Sequence, residues 1–139
     1  MESGASFATL DLEAGERFVA LRRQLGVESF GLNLMLLEPG QRGRVHRHQR
    51  QEEVYIVLAG TLTLELDGGE VHTLQPHDTA RVGPETRRRL SNRGDTRVAL
   101  IALGGAEPHV GRDGLAYTDW DETEGRPPQE VPLPPDLGS

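Results

Sequence analysis

The sequence contains neither cysteine nor lysine, and both absences restrict what the protein can do. Without cysteine it has no disulfide, no thiolate nucleophile and no zinc-thiolate site. All 15 basic residues are therefore arginine. The chain also lacks a long apolar run, so we expect no membrane-spanning segment and no membrane partner. The opening residues, MESGASFATLDLEAGERF, carry early acids and no apolar core, unlike a signal peptide, and we expect a cytoplasmic protein.

The negative charge is concentrated at the C-terminal end of the chain. Fifteen basic against 22 acidic residues give a formal net charge of −7. Residues 113–139 hold seven acids and one arginine, a local net charge of −6, together with five of the nine prolines. Because proline blocks the hydrogen bonds of a β-ladder, we expect an extended acidic tail over residues 113–139. A globally acidic chain is a poor general nucleic-acid binder, so we expect no nucleic-acid partner.

Short alternating segments separated by turn residues predict an all-β protein. The predicted strands cover residues 29–37, 54–59, 61–66, 70–74, 79–82, 87–91 and 97–103. Many short strands with intervening turns are typical of a sandwich or a barrel. N-terminal to these strands, only residues 13–25 have apolar residues at the spacing of an α-helix. We expect residues 1–28 to form a strand or short helix packed on a barrel of residues 29–112.

The predicted strand VYIVLA, residues 54–59, has no polar face. Such a strand is expected to be covered on both sides. In a small barrel one face of this strand points into the interior. A second subunit is the simplest way to bury the apolar residues on the other face. We therefore expect a homodimer.

Two histidines and a glutamate stand close together in the sequence. His46 and His48 are two residues apart, so on a strand their side chains point to the same face, and Glu53 follows five residues later. Imidazole and carboxylate are the ligands preferred by Fe, Mn, Ni, Cu or Zn, and two histidines with one carboxylate make a facial triad. The alternatives are a pair of surface histidines, or hydrogen-bonded histidines with a structural role inside a barrel.

These residues carry a resemblance to a known family. Gly40, His46, His48, Glu53 and Gly60 occupy the fixed positions of GxxxxxHxHxxxxExxxxxxG, the first conserved motif of the cupin superfamily. The later segment LQPHDTARVGPETRRRLSN resembles the second motif, LxPGDxxxxPxGxxHxxxN, with the matching residues Pro76, Asp78 and Asn92. The resemblance implies an antiparallel jelly-roll β-barrel with a metal site of His46, His48 and Glu53 in its interior.

The second motif departs from the cupin pattern at two positions. Arg88 stands where the family has its last histidine ligand, and His77 replaces a glycine. If the register matches the family, Arg88 points into the barrel, where a guanidinium can bind a carboxylate with two hydrogen bonds. It could pair with Glu53, which favours a metal-free site. It could instead hold an anionic ligand beside a metal. We take Arg88 and Tyr55 as candidate ligand-binding residues.

Three functions are compatible with these residues. The first is a metal-dependent enzyme of dioxygenase or isomerase type, in which the metal acts as Lewis acid or oxygen activator. The second is a metal-free barrel that binds a small anionic molecule. The third is a structural or interaction barrel whose site is a relic. Because one fold hosts many chemistries, the sequence leaves the catalytic residues and the substrate open.

Other side chains give weaker signals. Two arginine clusters could face the acidic tail, an anionic ligand or solvent; they contain Arg42, Arg44, Arg47 and Arg50, and Arg87, Arg88, Arg89 and Arg93. Tyr117 and Trp120 could fix the tail against the barrel wall or against a partner subunit. His72 and His109 are isolated in the sequence, and His72 could act as a ligand only if its strand lies beside the site.

Overall fold

A computed structural model describes residues 4–106 and 113–138 of the 139-residue chain. The described part is built mainly of strands, with one short α-helix and two 3-10 turns. The strands are β1 Phe18–Val19, β2 Gly31–Leu37, β3 Val45–His48, β4 Glu52–Ala59, β5 Leu62–Leu66, β6 Glu70–Leu74, β7 Thr79–Val82, β8 Arg88–Ser91, β9 Val98–Gly105 and β10 Gly114–Tyr117. The helix α1 spans Leu21–Leu25, and the 3-10 turns span Asp67–Gly69 and Pro128–Glu130.

The strands form two five-stranded antiparallel sheets that enclose one core. Their orders are β1-β2-β9-β4-β7 and β10-β3-β8-β5-β6, so neighbours in the sheet are mostly distant in sequence. Alternate residues of each strand face inward, as the period of two requires. The inward apolar residues include Tyr55, Val57, Leu64, Leu90 and Leu100, which pack in one cluster. The predicted all-β class and the jelly-roll arrangement are confirmed.

The N-terminal segment is less helical than its pattern indicates. Of residues 13–25, only Leu21–Leu25 form a helix, which ends at Gly26 in a left-handed conformation. Phe18 and Val19 instead pair with Met35 and Leu34 at the edge of β2, and Val19 packs against the apolar cluster that contains Leu34. No helix in the described ranges is long and apolar enough to cross a membrane.

Gly60 and Asn92, both singled out by the motifs, hold the turns of the barrel. Gly60 has φ 74°, and a Cβ at this position would lie 2.3 Å from the carbonyl oxygen of Arg97. The buried Asn92 donates from its amide to the carbonyls of Leu37 and Thr96, at 2.9 and 2.8 Å. These contacts connect three separate loops, which explains why both residue types are required there.

The tail is extended and carries one strand that the sequence analysis did not predict. Strand β10 pairs antiparallel with β3, with Gly114 opposite His48 and Tyr117 opposite Val45. Further along the tail, Val131 is fully buried against the barrel. The tail therefore extends the second sheet by one strand, next to the strand that carries both motif histidines.

Arginines of the barrel bind this tail mainly through its backbone. Arg42 and Arg44 donate from Nε to the carbonyls of Pro135 and Val131, at 3.1 and 2.6 Å. Arg87 donates to the carbonyl of Glu122 at 2.7 Å, and its guanidinium lies over the rings of Tyr117 and Trp120. Among the options open from the sequence, these arginines therefore face the tail.

Candidate metal site

The candidate site lies at one end of the barrel interior, where three strands meet. Strand β3 carries His46 and His48, and β8 lies beside it with Arg88 directly opposite His46. Strand β4, from the other sheet, contributes Glu53 and Tyr55, which share the inward face because they are two residues apart. The structure thus brings together all five residues that the sequence analysis selected.

The donor atoms of His46, His48 and Glu53 all lie within 4.8 Å of one another. His46 Nε2 is 3.4 Å from Glu53 Oε1, and His48 Nε2 is 3.3 Å from Glu53 Oε2. Ligand bonds of about 2.0 to 2.2 Å place neighbouring donors about 2.8 to 3.1 Å apart in octahedral sites and about 3.3 to 3.6 Å apart in tetrahedral sites. The spacing of the three side chains therefore fits one transition-metal ion.

The hydrogen bonds of the two imidazoles support the same conclusion. Nδ1 of His46 is 3.3 Å from the carbonyl oxygen of Arg44, and Nδ1 of His48 is 2.8 Å from a carboxylate oxygen of Asp113. Asp113 only accepts hydrogen bonds, so Nδ1 of His48 is the donor and, in the neutral ring, Nε2 of His48 keeps its lone pair. The buried Nε2 of His48 has no hydrogen-bond partner among the described residues. A cation between these Nε2 atoms and Glu53 would satisfy all three.

Glu53 is held as a carboxylate. Burial alone would raise its pKa, but the hydrogen bonds and charges of His46 and His48 outweigh burial and hold the pKa well below the ordinary value. The Tyr55 hydroxyl donates to Glu53 Oε1 at 2.5 Å. Burial, reinforced by the charge of Glu53, raises the pKa of Tyr55 well above its usual range, so the phenol stays a neutral donor. Tyr55 is thus a buried support of Glu53.

Arg88 is fully buried behind Glu53. Its terminal nitrogens donate to three consecutive carbonyls, those of Val82 at 3.3 Å, Gly83 at 3.1 Å and Pro84 at 3.4 Å. Its Nε lies 3.5 Å from Glu53 Oε1, a charge contact without a hydrogen bond. The terminal nitrogens of the guanidinium are therefore hydrogen-bonded to the end of β7 and the loop that follows it. The positive charge of the guanidinium lies next to the Glu53 carboxylate.

Asp113, which the sequence analysis did not select, is part of the site. This buried carboxylate accepts the hydrogen bond of His48 through Oδ1 and two backbone hydrogen bonds, from Arg50 and Gln51, through Oδ2. Burial opposes ionisation of Asp113, but these backbone hydrogen bonds and His48 prevail and lower its pKa. Nothing in the local sequence distinguishes Asp113 from the other acids of the tail, because its partner is 65 residues away.

His48 lies between two carboxylates, and this controls its protonation. Burial alone would lower its pKa, but the neighbouring carboxylates, Glu53 at 3.3 Å from Nε2 and Asp113 at 2.8 Å from Nδ1, raise the pKa above the ordinary 6.5. In the absence of a metal ion, a proton on His48 can therefore supply the positive charge that the cluster of donors requires.

The other histidines lie away from the site or outside the description. His72 is on the edge strand β6, exposed, and contacts Glu70. His77 occupies the turn before β7 with φ 80°. His109 lies outside the described residues.

The site itself is reached from solvent, since the His46 side chain is 24% exposed and that of Glu53 is 14% exposed.

Known proteins are similar to this chain in sequence or in fold. Protein SchB of Streptomyces halstedii is 29% identical over 106 residues, which are 76% of this chain and 75% of that protein. Polyketide synthase CurC of Streptomyces cyaneus is 28% identical over 116 residues, with coverage of 74% of this chain and 75% of that protein. A cupin protein from Bacteroides fragilis superimposes with a TM-score of 0.67 at 20% identity, over 88% of this chain and 98% of that chain.

The family model for the cupin domain matches residues 33–104. This range includes both histidines of β3, Glu53 and Arg88, and it ends before Asp113. With the two-sheet barrel and the placement of the first-motif residues, the match shows that the chain belongs to the cupin domain family.

Proposed function

We propose that this cupin binds one divalent transition-metal ion through His46, His48 and Glu53 and uses it to bind a small oxygen-donor molecule. The observation that carries the proposal is the unpaired, buried Nε2 of His48, which faces Glu53 Oε2 at 3.3 Å while its Nδ1 is engaged by Asp113. Nitrogen and oxygen donors without sulfur suit Fe, Mn, Ni, Cu or Zn.

The chain's own residues prepare the ligand set. The Tyr55 hydroxyl donates to one oxygen of Glu53, Asp113 accepts from Nδ1 of His48, and the Arg88 guanidinium lies 3.5 Å from Glu53 Oε1. Such supports orient ligands and raise their basicity. Three protein ligands leave coordination positions for water or a substrate oxygen, where a bound metal would act as a Lewis acid.

The ligand we propose is a small anionic or enolisable oxygen compound. Arg88 is occupied by loop carbonyls, so recognition of negative charge falls to the metal rather than to the guanidinium. As an enzyme, the site would suit reactions in which negative charge develops on a substrate oxygen, isomerisation among them, because a bound metal would supply a Lewis acid. Since CurC is named a polyketide synthase, oxygenated polyketide-derived molecules are the class to screen first.

Metal content tests this proposal. Tag-free protein incubated separately with each of the five metals and then desalted should retain about one ion per chain by elemental analysis. His46→Ala, His48→Ala and Glu53→Gln should each lose it. The matched control is His72→Ala, because His72 is exposed, contacts Glu70 and lies outside the candidate site. Wild-type protein that stays metal-free, with no metal-induced shift of its melting temperature, would contradict the proposal and favour a metal-free or structural barrel.

We further propose that the protein is a homodimer through the outer face of the first sheet. On β4 the outward residues Val54, Ile56 and Leu58 alternate with buried Tyr55 and Val57, and all three are only partly covered. Ile56→Asp should shift the molar mass in light scattering from dimer to monomer. Val71→Asp, on the exposed edge strand of the other sheet, should leave the mass unchanged. A monomeric wild type would overturn this proposal.

A further inference from the structure

We propose that Asp113 is the positioning residue of the metal site, fixing the His48 tautomer that leaves Nε2 free to bind metal. This inference rests on the proposed function above and concerns a residue outside the segment that matches the family model. Asp113 touches no metal ligand atom of the site, so its effect is exerted through the His48 ring.

The carboxylate of Asp113 is immobilised by the loop that follows β3. Its Oδ2 accepts from the backbone N–H groups of Arg50 at 2.8 Å and Gln51 at 2.7 Å, and its own carbonyl accepts from the N–H of Gln49 at 3.1 Å. Three consecutive N–H groups therefore hold one residue. Only Oδ1 remains for the imidazole, and it faces His48 Nδ1 at 2.8 Å.

An ionised carboxylate accepts hydrogen bonds and donates none. Asp113 Oδ1 is 2.8 Å from Nδ1 of His48, whereas Glu53 Oε2 is 3.3 Å from Nε2 and forms no hydrogen bond with it, so in the neutral ring the single proton lies on Nδ1. Among the described residues, Nδ1 of His46 faces a neutral acceptor instead, the carbonyl oxygen of Arg44 at 3.3 Å. Of the two imidazoles, His48 is therefore the one whose Nδ1 is bound by a carboxylate.

Strand β10 also restricts the ring itself. Gly114 is the pairing partner of His48, and a Cβ on Gly114 would lie 3.4 Å from Cε1 and 3.5 Å from Nδ1 of the imidazole. These distances are ordinary van der Waals contacts, so the backbone of β10 runs beside the imidazole at this position. The tail therefore supplies both the acceptor and the surface that orient this ligand.

The variant Asp113→Asn gives a specific expectation because it is nearly isosteric. The Asn oxygen is needed by the two N–H groups of Arg50 and Gln51, so the amide should turn its NH₂ group toward His48 Nδ1. Nδ1 then becomes an acceptor and the ring proton moves to Nε2, where Glu53 Oε2 at 3.3 Å can receive it. That tautomer cannot bind metal through Nε2.

The test measures the tautomer of metal-free protein by ¹⁵N NMR of the His48 ring at a pH where the ring is neutral. Wild type should show the proton on Nδ1 and Asp113→Asn should show it on Nε2. In chelator competition, Asp113→Asn should bind Zn²⁺ at least about tenfold more weakly. Asp78→Asn is the matched control, because Asp78 accepts one backbone hydrogen bond, from Gln75, in an exposed turn; tautomer and affinity should be unchanged.

The outcomes separate this inference from the proposed function. Wild-type protein with the proton on Nε2, or an Asp113→Asn variant with unchanged tautomer and affinity, would overturn the role of Asp113 while metal binding stands. If wild type carries the proton on Nδ1 and binds no metal, the proposed function fails and the positioning role is supported. If Asp113→Asn does not fold, the wild-type tautomer alone decides.

Discussion

Arg88 and a metal ion would be two positive partners for one carboxylate. Arg88 is fully buried, its Nε lies 3.5 Å from Glu53 Oε1, and three loop carbonyls accept its remaining hydrogen bonds. Removing one member of a buried ion pair leaves the other uncompensated. The arginine therefore supplies a permanent positive charge beside Glu53 whether or not metal is present.

We predict that Arg88→Met lowers the stability of metal-free protein by about 3 kcal/mol or more, because Glu53 and three carbonyls lose their partner. Metal should recover part of this loss, since it supplies the missing charge beside Glu53. Denaturant unfolding with and without Zn²⁺ measures both effects, and the metal-induced gain should be larger in the variant than in wild type. Equal gains would show that Arg88 and the metal do not share Glu53.

The pH dependence of stability should report on His48. Its folded pKa is raised above 6.5, so the protonated ring contributes stability that is fully present below pH 6.5 and is lost as pH rises through the folded pKa. The melting temperature of the metal-free protein should therefore fall as the pH rises above 6.5. Stabilisation by added metal should grow over the same range, because the metal replaces the proton.

Thermal denaturation in EDTA from about pH 5 to about pH 9 tests this expectation. The variant His48→Gln should lose the dependence on pH above 6.5, whereas His72→Gln should keep it, since His72 is exposed. A wild-type melting temperature that rises steadily from pH 6.5 to alkaline pH would contradict the raised pKa of His48.

At the scale of elements, the turn between β6 and β7 keeps the backbone conformation of the cupin motif although its glycine is replaced. His77 replaces the family's glycine and still has φ 80°, the left-handed conformation that glycine adopts without cost. The N–H of His77 donates to the carbonyl of Val57, and the Asp78 carboxylate accepts from the N–H of Gln75. The surrounding hydrogen bonds therefore impose the turn conformation on a residue that disfavours it.

We predict that His77→Gly is more stable than His77→Ala by about 1 kcal/mol, because only glycine is free of the left-handed penalty. Urea unfolding of the two variants gives the comparison directly. Neither variant should change metal content, since His77 lies outside the group of candidate ligands. Equal stabilities would mean that the turn relaxes to another conformation.

Strand β10 is the element that connects the tail to the site. It pairs with β3 on the opposite side from β8, so the strand of the two histidines is held from both edges. Asp113 directly precedes it. A segment that the sequence presents as an acidic, proline-rich tail thus orients a candidate metal ligand.

At the scale of the whole molecule, the uneven charge has a structural explanation. The acidic tail lies against barrel arginines, but Arg42, Arg44 and Arg87 bind tail carbonyls or lie over its aromatic rings. Arg17 and the half-exposed Asp136 form an ion pair between barrel and tail. Exposed pairs of this kind contribute about 0 to 1 kcal/mol. Backbone hydrogen bonds and the burial of Val131 should therefore dominate the docking of the tail.

We predict that the tail stays docked in high salt and is released by Val131→Asp, because a buried unpaired carboxylate costs about 2 kcal/mol or more. Limited proteolysis between residues 118 and 138 measures release. Leu133→Asp, at an exposed position two residues away, is the matched control and should remain protected. Cleavage that rises with salt in wild type would show that charge attraction holds the tail instead.

Local patterns in the sequence were enough to predict the all-β class and the candidate ligand group, and the resemblance to the cupin motifs added the jelly-roll barrel. Strand alternation places His46 with His48 and Glu53 with Tyr55, and turn residues such as Gly60 mark the ends of strands, because these properties depend on near neighbours in the chain. Tertiary structure decided the rest: the use of Arg88 by loop carbonyls, the edge strand in place of a longer helix, and the pairing of Asp113 with His48 across 65 residues. Such contacts depend on which strands become neighbours in the sheets, and no local pattern encodes that choice.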